Sequence, residues 1–177
     1  MKLPTDHTVF QNAWVVDDVE AAAMDWVNTF NIGPFFLAEY GPEQLTDISY
    51  RGEPGELNMY VAIAQAGPVQ IELIQPISQS PNAYRDTAPA GKTSFHHVCV
   101  WTDDLDADLE FYAERGCPTA NLGRVIDGPR FAYVDSHARL NCMLEILERS
   151  SMIEGVFKMI ADTAANWDGK NPIRGYE

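Results

Sequence analysis

Two stretches of the sequence decide the fold: Gln11-Asn-Ala-Trp-Val-Val-Asp-Asp-Val-Glu-Ala-Ala22 and His97-Val-Cys-Val-Trp-Thr-Asp-Asp-Leu-Asp-Ala-Asp108. Each stretch is predicted to form an apolar strand, followed by an Asp-Asp pair and the beginning of a helix. The second stretch follows the first by about half the length of the chain. This internal similarity indicates a duplicated structural unit.

The helix after each Asp-Asp pair is predicted from the spacing of apolar residues. These residues recur at the intervals of one helical face, as in 19–30. Acidic residues three positions apart, Asp17 with Glu20 and Asp103 with Asp106, resemble capping boxes. We therefore predict that the first Asp of each pair caps its helix.

Strand-like runs follow each predicted helix and are separated by Gly and Pro turns. The runs are 35–40, 47–51, 57–64 and 69–75 in the first half, and 119–126, 130–134 and 141–147 in the second. Each half therefore reads as a βαβββ unit. A lone unit of this kind leaves one sheet face exposed, whereas two units enclose a cleft.

The predicted fold class is therefore α+β, with two tandem βαβββ modules forming a curved mixed sheet around a concave metal-binding cleft and helices outside. We place the first module at 1–76, a linker at 77–93, the second module at 94–149, and a C-terminal helix and tail at 150–177, all in one compact domain. The C-terminal helix presents one apolar stripe, which either packs on the sheet or covers the cleft. Packing is the favoured reading.

Composition excludes several classes of function. The formal net charge of −14 disfavours nucleic acid and anionic membranes as partners. We see neither a secretory signal nor an apolar run long enough to cross a membrane, so we expect a cytoplasmic protein. Three cysteines without CxxC pairing argue against a disulfide scaffold and a zinc knuckle.

Four polar residues are predicted on the cleft face of their strands, because strand side chains alternate between faces. They are Gln11, Glu72, His97 and Glu145. Cys99 and Trp101 lie two and four residues after His97 and therefore face the same side of the strand, and we assign Met143 to the same face. We predict that these last three side chains bind substrate.

Glu72 and Glu145 each lie between apolar neighbours, where a carboxylate is costly to bury without a partner. Two carboxylates in one cleft repel each other, and a divalent cation resolves both costs. Carboxylate, imidazole and amide oxygen suit Zn²⁺, Ni²⁺, Co²⁺ or Mn²⁺. The alternatives are solvated strand positions or a buried ion pair with Arg, and the matching positions in a duplicated unit favour the metal.

The chain resembles the vicinal oxygen chelate superfamily, which includes glyoxalase I, methylmalonyl-CoA epimerase, extradiol dioxygenases and bleomycin-resistance proteins. The segments that carry the resemblance are 11–22, VQIELIQP at 69–76, FHHVCVWTDDL at 95–105 and NCMLEILE at 141–148. The resemblance implies one metal ion bound by Gln11, Glu72, His97 and Glu145. Epimerase-like members commonly have His at the first of these positions, whereas the set Gln, Glu, His, Glu resembles that of animal-type glyoxalase I.

The ligand set distinguishes among the reactions of the superfamily. By the same resemblance, extradiol dioxygenases look to need two His and one carboxylate as ligands of Fe(II). The predicted ligand set of this chain contains a single His, which disfavours oxygen chemistry. Proton transfer next to a carbonyl, through an enolate or enediolate, fits better, with Glu145 as the main acid/base and Glu72 as the second. A glutathione hemithioacetal, an acyl-CoA thioester and an unrelated carbonyl compound remain open as substrates.

Other histidines are interpreted as structural. We expect His7 to be a strand-entry residue and His137 a turn residue, and His96 to face away from His97 and to pack outside the site.

The resulting hypothesis is a metal-dependent isomerase, epimerase or lyase. The alternative is a metal-free protein that binds or sequesters a small molecule, like the bleomycin-resistance members. In either case the partner is a small molecule, and the resemblance allows a homodimer.

Overall fold

The structure is a computed structural model that describes residues 8–176, so His7 lies outside the described residues. The strands are β1 (Val9–Val15), β2 (Phe35–Tyr40), β3 (Leu45–Tyr50), β4 (Glu53–Pro54), β5 (Met59–Ala66), β6 (Val69–Pro76), β7 (Ser94–Thr102), β8 (Thr119–Val125), β9 (Arg130–Val134), β10 (Met143–Glu148) and β11 (Ile173–Arg174). The helices are α1 (Val19–Phe30), α2 (Ala83–Thr87), α3 (Leu105–Ala113), α4 (His137–Leu140) and α5 (Ser151–Ala165). None of the helices in this described part is long and apolar enough to cross a membrane.

All described strands form one curved, unclosed mixed sheet in the order β11-β2-β5-β6-β1-β7-β10-β9-β8-β3-β4. β1 and β7 pair antiparallel at the centre, with Gln11 opposite Cys99 and Ala13 opposite His97. Each central strand also has a parallel partner, β6 for β1 and β10 for β7. Ala13 lies opposite Glu72 in one pair, and Cys99 lies opposite Glu145 in the other. The two halves therefore meet with the same register, and the predicted α+β fold class is confirmed.

The first helix of each half begins one residue later than predicted. Asp18 and Asp104 are the N-caps, and their carboxylates accept hydrogen bonds from the backbone N–H of Ala21 and Ala107 at 2.9 and 3.1 Å. The second Asp of each pair has the extended or non-helical backbone of a cap, so its oxygen reaches the free N–H groups of the first turn.

Two strands of the first half, β3 and β4, lie at the edge of the sheet beyond the second half. β3 was predicted as part of the first βαβββ unit, but it pairs antiparallel with β8 of the second half. Arg51, directly after β3, stabilises this position through two ion pairs. Its guanidinium lies 2.7 Å from a carboxylate oxygen of Asp86 and 2.9 Å from one of Asp135. Strand pairing and ion pairs between distant residues therefore join the first half to β8, the outermost strand of the second half.

The two faces of the sheet bury different side chains. α1 covers one apolar cluster around Leu73, and α3 covers another around Ile146. The third and largest cluster lies on the concave face and includes Cys99, Met143 and Ile160. Ile160 belongs to α5, so this helix lies across the concave face while α1 and α3 lie outside. The C-terminal helix combines the two roles left open by the sequence, because it packs on the concave face of the sheet and also lines the cavity.

Candidate metal centre

Three strands bring two carboxylates and one imidazole together on the concave face. Nε2 of His97 on β7 lies 3.2 Å from Oε2 of Glu72 on β6 and 3.0 Å from Oε2 of Glu145 on β10. His97 is fully buried, and the two carboxylate side chains are 12% and 10% exposed. These three residues form a cluster whose ligand atoms all lie within 4.8 Å of one another.

The geometry of this cluster fits a divalent cation. Metal–ligand distances of about 2.0–2.2 Å place neighbouring donor atoms about 3 Å apart, which matches the two separations measured here. Within residues 8–176, Nε2 of His97 and Oε2 of Glu72 are buried without a hydrogen bond of normal geometry. A divalent ion, or a proton on the imidazole, would satisfy these buried polar atoms.

The ionisation of the cluster follows from its burial. Burial raises the pKa of Glu72, and the charge of Glu145 adds to that rise, although His97 lowers it. Burial by itself lowers the pKa of His97, but the charges and hydrogen-bonding of Glu145 and Glu72 outweigh it and raise this pKa to about 9. A positive charge at Nε2 is therefore favoured, either as a proton or as a metal ion in its place.

His96 does not face away from the site, which corrects the sequence-based expectation. The pairing of β1 with β7 skips one residue, since Ala13 lies opposite His97 and Trp14 opposite Phe95. The extra residue is His96, and such a bulge breaks the alternation of side chains. His96 is fully buried, with Nδ1 2.8 Å from Nδ1 of His97.

Hydrogen bonding through His96 sets the tautomer of His97. Nε2 of His96 lies 3.1 Å from the carbonyl oxygen of Ala83, which can only accept, so this nitrogen donates. Burial and the charge of His97 lower the pKa of His96, so its ring is neutral and its Nδ1 accepts. His97 must then donate from Nδ1, which leaves its Nε2 facing Glu72 and Glu145 as the atom that holds a proton or a metal.

Gln11 lies beside this cluster and is almost completely buried. Its Nε2 donates to Oε1 of Gln70 at 3.2 Å, and its side chain lines the same cavity as Glu72 and Glu145. Because the amide nitrogen is engaged, the amide oxygen is the atom of Gln11 that remains suited to a metal.

The cluster opens into a cavity of about 90 Å³. Its polar lining consists of Gln11, Glu72, Glu145 and four tyrosines, Tyr40, Tyr84, Tyr133 and Tyr176. Its apolar lining, called here the apolar wall, consists of Leu45, Met59, Val61, Ile63, Val125, Phe131, Leu147, Ile153, Val156 and Phe157. Three members of the apolar wall belong to α5, so this helix closes one side of the cavity.

The three side chains predicted to bind substrate lie on the concave face, as expected, but do not line the cavity. Cys99 and Met143 are fully buried in the concave cluster, and Trp101 stacks on Phe10 with ring centroids 4.3 Å apart. None of the three is among the described residues that line the cavity. Trp101 also packs against Phe157, so its contacts support the helix that covers the cavity.

Sequence reasoning missed the contribution of the segment treated as a linker. α2 lies within it, and its Ala83 and Tyr84 are buried at 0% and 1% exposure. Tyr84 lines the cavity, with its hydroxyl 2.9 Å from that of Tyr133. The local signal was Asn82, which caps α2 by accepting a hydrogen bond from the backbone of Arg85. The long-range contacts to Tyr133 and His96 have no signal in the local sequence.

Comparison with known proteins agrees with this architecture. The family profile of the Glyoxalase/Bleomycin resistance protein/Dioxygenase superfamily matches residues 10–133. No curated protein matches the sequence.

Solved structures with a similar fold include a hypothetical protein from Bacillus halodurans C-125, 17% identical with a TM-score of 0.60, where the match covers 83% of this chain and 96% of that one. A methylmalonyl-CoA epimerase from Mycobacterium tuberculosis is 13% identical with a TM-score of 0.58, over 88% of this chain and 96% of that one. A variant of Streptomyces coelicolor methylmalonyl-CoA epimerase in complex with 2-nitronate-propionyl-CoA is 16% identical with a TM-score of 0.55, over 83% and 97%.

At these identities the structural similarities concern the fold. The family profile covers well over half of the chain. This protein therefore belongs to the Glyoxalase/Bleomycin resistance protein/Dioxygenase superfamily.

Proposed function

We propose that this protein is a metal-dependent isomerase, epimerase or lyase that moves a proton at the carbon next to a carbonyl group. The observation that carries the proposal is the position of His97 Nε2, buried within 3.2 Å of Glu72 and 3.0 Å of Glu145, two carboxylates that line a cavity. Gln11, Glu72, His97 and Glu145 would hold one divalent ion, and Zn²⁺, Ni²⁺, Co²⁺ and Mn²⁺ all suit these donors. When bound, such an ion polarises a carbonyl oxygen and offsets developing negative charge.

The two carboxylates supply the proton transfer. Glu145 is proposed as the main acid/base and Glu72 as the second, because both side chains reach the cavity from different strands. The apolar wall offers the body of a substrate a mostly nonpolar surface beside the two carboxylates. The complex of the Streptomyces coelicolor epimerase makes a CoA thioester one candidate substrate, beside smaller carbonyl compounds.

Metal content tests the first part of the proposal. The protein is purified without chelator or affinity-tag metal, and its metals are quantified beside the double variant Glu72→Ala/Glu145→Ala. A matched control, Glu39→Ala/Glu43→Ala, removes two exposed carboxylates. We expect about one divalent ion per chain in the wild type and the control, and its loss in the site variant. Wild-type protein that stays metal-free after addition of Zn²⁺, Ni²⁺, Co²⁺ or Mn²⁺ would refute metal-dependent catalysis.

Exchange of hydrogen for deuterium tests the proton transfer. NMR in D₂O follows the carbon next to the carbonyl in a panel of thioesters and α-hydroxycarbonyl compounds. Glu145→Gln keeps the size of the side chain and removes its basicity, so we expect exchange to fall by about 10²–10⁴-fold. Full exchange in Glu145→Gln with the metal retained would remove this residue from the acid/base role.

Metal-free binding of a small molecule is the second candidate, and one observation favours it. His97 Nε2 lies 3.2 Å from Glu72 and 3.0 Å from Glu145, distances at which a protonated imidazole would pair with both carboxylates without a metal. The metal measurement distinguishes the two candidates. The cytoplasmic location and the homodimer stay predictions.

A further inference from the structure

The short helix α2 connects the candidate metal centre to a distant strand. Ala83 is the first residue of α2, and its carbonyl oxygen lies 3.1 Å from Nε2 of His96, which donates to it. The backbone N–H of the same residue donates to Oδ1 of Asn121 on β8 at 2.6 Å. One residue of α2 therefore stands between Asn121 and the histidine that orients His97.

Asn121 is a buried amide with both of its ends engaged. It is 1% exposed, and its Nδ2 donates to the carbonyl oxygen of Ser49 on β3 at 2.8 Å. A backbone N–H can only donate and a backbone carbonyl can only accept, so Ala83 and Ser49 together fix which end of the amide faces each of them. The crossing of β3 to the second half therefore bears on the site, because it supplies the carbonyl that orients Asn121.

The helix α2 depends on such contacts for its position. It has five residues, and isolated helices shorter than about 12–15 residues are marginal in water. Because Ala83 is the first helical residue, its N–H has no partner within the helix and needs an acceptor from elsewhere. A further tie, the ion pair of Asp86 with Arg51, lies later in the helix. Asn121 thus makes its contact at the residue whose carbonyl binds His96.

The register of the sheet places Asn121 in line with the site. Asn121 lies directly opposite Tyr133 in the pairing of β8 with β9, and Tyr133 lies directly opposite Glu145 in the pairing of β9 with β10. Side chains of directly paired residues project from the same face of a sheet. Asn121 is therefore on the concave face, two strands away from a proposed metal ligand.

We propose that Asn121 is a positioning residue of the candidate metal centre, acting through Ala83 and His96 on His97. Asn121 holds the carbonyl of Ala83 where Nε2 of His96 donates to it, and this hydrogen bond keeps Nδ1 of His96 turned toward His97. The role belongs to the site of the proposed function, and its effect on metal affinity rests on that function.

Nitrogen-15 NMR of the histidine rings in the metal-free protein tests the first step. In the wild type we expect His96 to have its proton on Nε2, because the carbonyl of Ala83 accepts it. Asn121→Leu removes the acceptor of the Ala83 N–H, so exchange of the His96 Nε2 proton with water should become faster by about fivefold, the factor that corresponds to one net hydrogen bond. Unchanged exchange in the variant, or a neutral His96 with its proton on Nδ1 in the wild type, would overturn the inference. The wild-type result holds whether or not the variant folds.

Two further variants separate positioning from a purely structural role. Asn121→Asp keeps an oxygen for the Ala83 N–H, and burial favours the uncharged carboxyl, which can also donate to Ser49, so the His96 signals should be restored. Asp86→Asn weakens a partly exposed ion pair of the same helix, so we expect at most a slightly lower urea midpoint and unchanged His96 signals.

Either of two results from these variants would refute the specific role of Asn121. One is His96 signals that change as much in Asp86→Asn as in Asn121→Leu. The other is an Asn121→Asp variant whose His96 signals are no closer to the wild type than those of Asn121→Leu.

Metal affinity tests the second step. Groups that orient a metal-binding imidazole from outside the ligand set typically account for roughly 10–100-fold in affinity, and Asn121 acts from further away than His96. We therefore expect Asn121→Leu to lower affinity by about tenfold, the lower end of that range, and Asp86→Asn to leave it unchanged. Competition with a chelating dye measures both. A loss in Asn121→Leu no larger than in Asp86→Asn would show that the support does not reach His97.

The two proposals fail separately. A protein that binds no metal refutes metal-dependent catalysis, while the His96 signals of the metal-free protein still test the role of Asn121. A protein that binds metal but shows unchanged His96 exchange in Asn121→Leu refutes the role of Asn121 alone.

Discussion

The first half of the molecule has Gln11 at the position where the second half has His97, although the two halves share register, helix cap and an inward-facing Glu. Gln11 is held by an amide hydrogen bond from its side chain to Gln70. His97 is held by His96, which a bulge in β7 brings onto the same side of the sheet. Duplication therefore provides equivalent positions, the residue at each position supplies either a neutral amide or an imidazole, and a neighbouring side chain holds that group in place.

The largest expected difference between the halves is in metal affinity. His97→Ala removes the imidazole and leaves two buried carboxylates facing each other, so we expect affinity to fall by more than about 100-fold, beyond the 10–100-fold typical of supporting residues. Gln11→Ala removes a neutral oxygen, a weaker ligand, and should cost roughly tenfold. Competition with a chelating dye measures both. Equal losses would show that the two positions contribute alike.

The supporting neighbours give the next largest effect. His96→Phe removes the acceptor that orients His97, so we expect metal affinity to fall by about 10–100-fold. His96→Gln keeps an acceptor and a donor and should restore most of it. The matched change in the first half is Gln70→Met, which places there the residue found opposite His97, Met143, and is expected to cost less.

Nitrogen-15 NMR of the His97 ring supplies an independent measurement for these variants. A merely structural role for His96 would leave the Nδ1–H tautomer of His97 unchanged in His96→Phe, and that result would contradict the positioning role.

The helix caps should respond alike in the two halves. Asp18→Ala and Asp104→Ala each remove one hydrogen bond to a free N–H of the first helical turn, so each should lower the free energy of unfolding by about 1 kcal/mol. Urea unfolding measures the loss, and metal content serves as the control and should not change. Clearly unequal losses would show that the caps are not equivalent.

The smallest expected effect concerns Glu148, at the position in β10 that corresponds to Gln75 in β6. Partial burial raises the pKa of Glu148, but hydrogen bonds from Arg130 and its charge outweigh burial and leave the pKa below the usual 4.5. Because the folded pKa is the lower one, this stabilisation is present above the unfolded pKa and is lost as pH falls through the folded value.

The pair formed by Glu148 and Arg130 is partly buried at the protein surface, and we expect it to contribute about 1 kcal/mol. Glu148→Gln should flatten that part of the stability-against-pH curve between pH 5 and 3, measured by urea unfolding. An identical curve for wild type and variant would show that the pair contributes nothing.

Local patterns in the sequence were sufficient to predict the two duplicated halves of the sheet and their first helices. Strand alternation placed Glu72, His97 and Glu145 on one face, and helical spacing located α1 and α3, because both periodicities are properties of neighbouring residues. The residue types of the proposed ligands could also be predicted from the sequence, because a Glu between apolar strand residues is recognised from its immediate neighbours alone.

Contacts between distant residues decided the rest. The bulge that turns His96 toward His97 depends on how β1 and β7 pair, and the crossing of β3 to β8 depends on the far edge of the sheet. The cover formed by α5 and the position of Tyr84 set the size of the cavity. Neither follows from periodicity, because both are fixed by which apolar surfaces meet once the chain has folded.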